Sequence, residues 1–476
     1  MDYQDLWLYI AGRRVYAGER ETLEVLNPAT GSVLAGVPIA TSDDLDEALQ
    51  AASDAFPSWR RTPVDARATV LKRAADLLRG RASDIGRLIT LEQGKPLAES
   101  MDEVQQSATI LEWFAEEARR AYGRVVPSRV AGRRDLVLRQ PVGPVAAFTP
   151  WNFPMTIAAR KVGAILAVGC TCVLKPAEET PAAALALTQA LIDAGLPDGA
   201  LSVVFGVPDH ISAHLVRSEV IRKATFTGST SVGRQIASLA AEGVKPVTME
   251  LGGHAPVLVF EDADLDKLIA SGVAAKYRNA GQTCINPTRF YVQEGVYDKV
   301  VRRFAEGAAT VKVGDGLDRT VQMGPLANAR RAAAITSLVE DAVGRGAKVR
   351  AGGQSIAGTG NFWEPTVLQD VDPMSRAMLE EPFGPLALFS PFDTVENAIE
   401  AANRLPFGLG AYAFTTALDT AHRLAEDVET GMLAINHFKL AGPETPFGGV
   451  KLSGYGSEGG TEGLAEFLQF KLVSEG

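Results

Sequence analysis

The sequence predicts an α/β protein with two doubly wound parallel-sheet units and a smaller β element beside them. Three observations predict it. From 143 to 256 a strand–loop–helix pattern repeats, which means parallel strands covered by helices. From about 253 to 450 a second series of the same kind follows. Between 123 and 141 short apolar runs lie among Arg, Ser and Gly, the texture of an exposed hairpin. A chain of 476 residues is long enough for several such units.

Taken in order, Leu8 to Pro38 mixes short apolar runs with Gly and Asn-Pro punctuation and reads as a β region. Thr41-x-x-Asp44 is a variant capping box opening a helical stretch from 42 to 120. Within it Val70, Leu71, Ala74, Leu77 and Leu78 form one apolar face, and Gly94-Lys95-Pro96 breaks the stretch. The first α/β series has strands at Val145–Phe148, Cys172–Leu174, Leu201–Phe205, Ala224–Phe226 and Pro246–Met249. Helices are expected at 157–168, 181–194, near 210 and at 232–241. The second series opens with Ala255–Phe260 and has strands near Lys348-Val349, at Leu386–Phe389 and at Met432–Ile435. The chain closes on an apolar strand, Phe467–Val473, with no sequence neighbour left to pair with.

Composition excludes several classes of function. The chain is 46% hydrophobic and 22% charged with net charge −10, as in an ordinary soluble protein. It has no Lys/Arg-rich block, so nucleic acid and anionic membranes are poor partners. The acidic start, Met1 to Asp5, lacks the basic and apolar regions of a signal peptide, and no apolar run is long enough to span a bilayer. Three cysteines cannot form a disulfide framework, and a cytoplasmic location is expected. Cys170-x-Cys172 is too close-spaced for a zinc pair, and the five histidines form no metal-spaced cluster, so no metal is expected.

Chemistry is expected at Arg278-Asn279-Ala280-Gly281-Gln282-Thr283-Cys284-Ile285-Asn286. Cys170 and Cys172 sit among small and apolar residues that read as a buried strand, whereas Gly, Gln, Thr and Asn flank Cys284. Two further segments suit a reacting thiol. Thr149-Pro150-Trp151-Asn152-Phe153-Pro154 follows a strand and holds Asn152 stiffly, as an oxyanion donor requires. Met249-Glu250-Leu251-Gly252-Gly253 presents Glu250 as a general base beside glycines that permit close approach.

Three segments suit a nucleotide. Phe226 to Gly233, holding Gly228 and Ser229, lies between a strand and a helix, where backbone N–H groups favour anions. Lys175 and Glu178, just past a strand, can bond both hydroxyls of a ribose. Glu381-Pro382-Phe383-Gly384-Pro385 holds an acid and an aromatic on a rigid turn. Gly454-Tyr455-Gly456-Ser457-Glu458-Gly459 satisfies G-x-G-x-x-G but lacks the preceding strand and the room for a βαβ unit, so it is set aside. For each segment alone, an ordinary turn, a surface ion pair or a structural role is an equal or better account.

Together, in this order and spacing, these segments and Pro446-Phe447-Gly448-Gly449 with Lys451 resemble an aldehyde dehydrogenase over essentially the whole chain. The resemblance implies an aldehyde-dehydrogenase-like fold. Residues 1–121 and 142–252 would form the NAD-binding domain and 253–452 the catalytic domain. Residues 122–141 and 453–476 would form an oligomerisation element. It implies that Cys284 attacks the aldehyde and that Asn152 and the Cys284 N–H stabilise the oxyanion. Hydride then passes to the nicotinamide, and Glu250 activates the water that hydrolyses the thioester. Trp151, Lys175, Glu178, Gly228, Ser229, Leu251, Glu381 and Phe383 would bind the cofactor. A carboxylate at Glu178 accepts from a ribose 2′-OH and repels a 2′-phosphate, so NAD is expected over NADP.

The chain most resembles the succinate-semialdehyde branch. There two arginines grip the substrate's distal carboxylate, and Arg160 and Arg278 match their positions. Ala441 stands near the position where that branch places a third ligand, a serine, and Ser457-Glu458 replaces the usual Arg-Glu. α-Ketoglutarate semialdehyde and a general aldehyde are therefore the alternatives. The hairpin and the C-terminal strand look like edges wanting partners, and in the family such elements build a homodimer or homotetramer.

Overall fold

The computed structural model describes Tyr3 and residues 6–476. Its core is two sheets, each built on parallel strands. In the first, the order is Arg13–Tyr16, Trp7–Ile10, Leu201–Val203, Cys172–Lys175, Val145–Phe148, Lys223–Thr227, Val247–Glu250 and Gly454–Tyr455. The five central strands are parallel. Numbered along the chain they lie 3-2-1-4-5. The order reverses between the strand ending at Phe148 and the one ending at Thr227, and a crevice opens at such a switch point.

The second sheet runs Lys348–Ala351, Thr366–Gln369, Leu386–Phe392, Pro287–Gln293, Ala255–Val259, Gly410–Phe414 and Met432–Ile435, parallel except for its first strand. Each sheet has its own buried apolar cluster. Leu71, Ala74 and Leu78 belong to the first, with Val70 and Leu77 partly buried against it. The Thr41/Asp44 capping box forms as expected at helix Ser42–Trp59.

The helical stretch is four helices, Ser42–Trp59, Val64–Gly80, Ala82–Gln93 and Leu97–Glu117. Gly94-Lys95-Pro96 does more than break it. It places the Lys95 ammonium, fully buried, beneath the cavity described below.

Two expectations are corrected. The C-terminal strand, Leu468–Glu475, does have a partner within the chain. It pairs antiparallel with Arg134–Pro141, which also pairs with Arg124–Pro127, in a three-stranded sheet. Pairing over a separation of some 330 residues leaves no trace in local sequence pattern. The expected boundary near 453 also shifts, because Gly454–Tyr455 pairs with Met249 and Glu250 and so completes the first sheet. The apparent dinucleotide fingerprint thus begins on an edge strand. Among the described residues no helix is long and apolar enough to cross a membrane.

Candidate active site

A cavity of about 250 Å³ opens at the switch point. Trp151, Asn152, Gly228, Ser229, Glu250, Leu251, Cys284, Glu381 and Phe383 all line it. The first sheet contributes from the carboxyl ends of its strands, as expected. The second contributes from amino ends: Cys284 precedes Pro287–Gln293, and Glu381 precedes Leu386–Phe392.

Asn152 is fixed by buried polar groups. Its carbonyl accepts from Lys95 Nζ at 2.8 Å and from Asn279 Nδ2 at 2.9 Å. Its side-chain Nδ2 donates to the carbonyl of Gln282 at 3.0 Å, and one N–H is left for an oxyanion. Lys95 pairs with Glu103 at 2.6 Å, and the other Glu103 oxygen accepts from the N–H groups of Met155 and Thr156 at the start of helix Pro154–Val168. A buried pair with every partner satisfied rigidifies what it touches.

The cysteine loop leaves helix Leu265–Tyr277 through two left-handed residues, Asn279 at φ 50 and Ala280 at φ 51. Ala280 pays roughly 1–2 kcal/mol for that conformation. The surroundings enforce it. Asn279 accepts from Gln93 Nε2 at 2.8 Å, and Glu99 accepts from its N–H at 2.9 Å. Gln282, fully buried, accepts from the Ala327 N–H at 2.9 Å. Gly281 has φ +71, and a Cβ there would lie 2.1 Å from the Gly384 carbonyl, so only glycine fits. The loop is closed behind Cys284 by Lys276, which donates to Asn286 Oδ1, while Asn286 Nδ2 donates to the Lys276 carbonyl at 3.0 Å.

Glu250 ends its strand almost completely buried, with neither carboxylate oxygen hydrogen-bonded. Burial, then the nearby Glu458 carboxylate, pushes its pKa well up, while Lys161 and Arg160 pull it down. Glu458 is held by Lys161, which also donates to Thr225 Oγ1 at 2.8 Å. Burial pushes the Cys284 thiol up to about 12, helped by the charges of Glu381 and Glu250. Glu381 accepts from the Gly253 N–H at 3.1 Å; a Cβ on Gly252 would stand 2.5 Å from its other oxygen.

Not every expected residue lines the cavity. Lys175 and Glu178 form an ion pair with each other. Arg160 is buried, 4.5 Å from the Phe447 ring centre, with Nε unpartnered, and its charge acts on both Cys284 and Glu250. Arg278, expected to hold the substrate's far end, does not line the cavity. It is half-exposed over the Phe153 ring at 5.3 Å and pairs with Asp102 at 3.7 Å. Leu409, Met432 and Phe447, with Ile285 and Leu440, make an apolar cluster against Cys284. Sequence reasoning missed Lys95, Arg331 and Ile157. The one signal was a lysine between Gly94 and Pro96, an odd place for an exposed charge.

The residues present fit a dinucleotide. Ser229 caps helix Thr230–Glu242 at the switch point, Glu381 keeps an oxygen free toward the cavity, and Arg331 Nε is buried without a partner on its wall.

The aldehyde dehydrogenase family model matches residues 15–473. The chain is 46% identical to 4-(hydroxymethyl)benzenesulfonate dehydrogenase TsaD1 of Comamonas testosteroni, over 98% of this chain and 97% of the relative. It is 42% identical to succinate-semialdehyde dehydrogenase [NADP(+)] GabD of Escherichia coli K12, over 98% and 97%. An NADP-dependent enzyme of E. coli superposes with TM-score 0.98 at 42% identity, covering 100% of this chain and 98% of that one. With the whole fold shared and the model matched nearly end to end, the chain belongs to the aldehyde dehydrogenase family.

Proposed function

We propose that this enzyme oxidises a small aldehyde with a distal anion, succinate semialdehyde in the first instance, to the carboxylic acid with NAD. The convergence of Cys284, Glu250 and Asn152 on one cavity carries the reading. Cys284 loses its proton to solvent in the cavity, its sulfur bonds to the aldehyde carbon, and the Asn152 amide and the Cys284 N–H donate to the oxygen as it gains charge. When bound, the dinucleotide accepts the hydride. Glu250 then takes a proton from water as that water attacks the thioester, and the acid leaves with the Cys284 thiol restored.

Ser229, at the helix start, suits the diphosphate and Glu381 the nicotinamide ribose. Trp151, Gly228, Leu251 and Phe383 shape the slot between them. Lys175 and Glu178, already positioned against each other, suit the adenine ribose, and the Glu178 carboxylate supports NAD over NADP. On this reading 1–121 with 142–252 binds cofactor and 253–452 holds the nucleophile. Segments 122–141 and 453–476 supply the three-stranded sheet of Arg124–Pro127, Arg134–Pro141 and Leu468–Glu475, which, with Val125, Phe470 and Leu472 exposed, serves self-association.

Of the two arginines, Arg160, whose charge acts on both Cys284 and Glu250, is the stronger candidate to meet the distal anion, with Arg278 as the second. A second substrate class is an aromatic aldehyde with an anionic substituent, favoured by the apolar cluster against Cys284. The test is NAD reduction with succinate, glutarate and α-ketoglutarate semialdehydes, an anionic benzaldehyde and uncharged analogues of each. Arg160→Ala is expected to cost roughly 1.5–3 kcal/mol in kcat/KM for the anionic member of a pair and far less for its neutral analogue. Equal losses on both refute the anion assignment. A preference for the aromatic pair selects the second class.

A further inference from the structure

The turn Glu381–Pro385 is the junction of the cavity. Phe383 meets Trp151 edge-on at 5.4 Å. Gly384 abuts Gly281 of the cysteine loop on one side and Ile335 of helix Ala329–Gly344 on the other. Phe383 has φ 46, a left-handed backbone that costs an aromatic residue roughly 1–2 kcal/mol unless its surroundings enforce it. Arg331, in the first turn of that helix, does so. Its guanidinium donates to the Pro382 carbonyl and, at 3.4 Å, to that of Phe383, and lies 5.8 Å from the Phe383 ring centre. Arg331 is also the one cation among the described residues lining the cavity, where its charge and that of the Glu381 carboxylate act on each other.

We propose that Arg331 is a positioning residue for the cofactor: it locks the Glu381–Phe383 turn and sets its positive charge beside the Glu381 carboxylate, which accepts from a ribose diol. This rests on the reading of Glu381 given above. The electrostatics agree with the geometry. Burial pushes Glu381 up to about 7, while the Gly253 N–H bond and the Arg331 charge pull it down. Three titratable groups stand around it: Arg331 from the helix, the Cys284 thiol from its loop, and Glu250 two residues before Gly252. Of these only Arg331 favours the charged form. Removing it raises the pH at which Glu381 ionises, so tight cofactor binding begins at higher pH.

The test is KM for NAD from pH 6 to 9 in the full-length wild type, Arg331→Gln, Arg331→Lys, Glu381→Gln and the double variant Arg331→Gln/Glu381→Gln. In Arg331→Gln the pH at which KM reaches its low plateau should rise, so that KM exceeds the wild-type value at pH 7 and converges on it toward pH 9. Arg331→Lys, which restores the charge and folds more readily, should return the plateau toward the wild-type pH. The double variant should be no worse than Glu381→Gln alone, because both act through one group. A KM raised equally at every pH, or effects that add in the double variant, overturns the proposal in favour of a plain brace. If Glu381→Gln leaves KM unchanged, the ribose assignment itself fails. If Glu381→Gln raises KM and Arg331→Gln does not, only the role of Arg331 fails.

Discussion

Cys170 and Cys284 have nearly the same proton affinity, and only one is placed to react. Burial pushes each thiol up to about 12. Cys170 lies in the apolar core of the first sheet, where its Sγ donates to the Phe467 carbonyl at 3.5 Å. Cys284 is partly accessible at the cavity, with Glu250 and Glu381 on the same wall. Burial and the two neighbouring carboxylates all disfavour the thiolate form of Cys284. A thiolate facing two carboxylates is repelled, and on the proposed mechanism a thiol that loses its proton only as the carbon–sulfur bond forms avoids that cost.

The contrast can be broken, beginning with the largest effect. Cys284→Ala should abolish NAD reduction, and residual turnover with an aldehyde would move the nucleophile elsewhere. Glu250→Gln should keep an initial burst of NADH and lower the steady rate by about 10²–10⁴-fold. Because the Glu250 pKa is raised, its base form fills only as pH rises through that value. The wild-type steady rate should therefore climb with pH and then level off, and the climb should vanish in Glu250→Gln. A rate that falls with rising pH through neutrality would assign the group a different role.

Lys95→Met sharpens the comparison from below. It leaves Glu103 buried without its partner, so urea titration should show a loss of about 3–5 kcal/mol. It also removes one of the two donors to the Asn152 carbonyl, so adduct formation at Cys284 should slow more than NAD binding weakens. Cys170→Ala should have the smallest effect: about 1 kcal/mol of stability and turnover within twofold of wild type. A large loss of activity there would mean that the two environments are coupled.

Legibility divides along similar lines. Nine residues expected at the site line the cavity, because each sits beside a strand end, a helix start or a glycine pair that sequence pattern can locate. Arg278 and Arg331 show the limit. The spacing of Arg278 from Cys284 points to a substrate contact, but spacing along the chain carries no information about Asp102 and Phe153, the groups Arg278 meets in space. Arg331 lies 47 positions beyond Cys284 in a helix with no local sign of function, and reaches the cavity only because that helix packs against the turn at Gly384.

The sequence by itself determined the alternation of strands and helices and singled out the cysteine, the acids and the amide that line the cavity. These follow from residue type and short-range periodicity. Only the tertiary structure decided that the second sheet offers the amino ends of its strands, and that residues 468–475 pair with 134–141. It alone buried Lys95 and Glu103 beneath Asn152 and set a cation beside Glu381. The physical reason is that desolvation and long-range pairing depend on what surrounds a group in space, and the neighbours along the chain do not specify those surroundings.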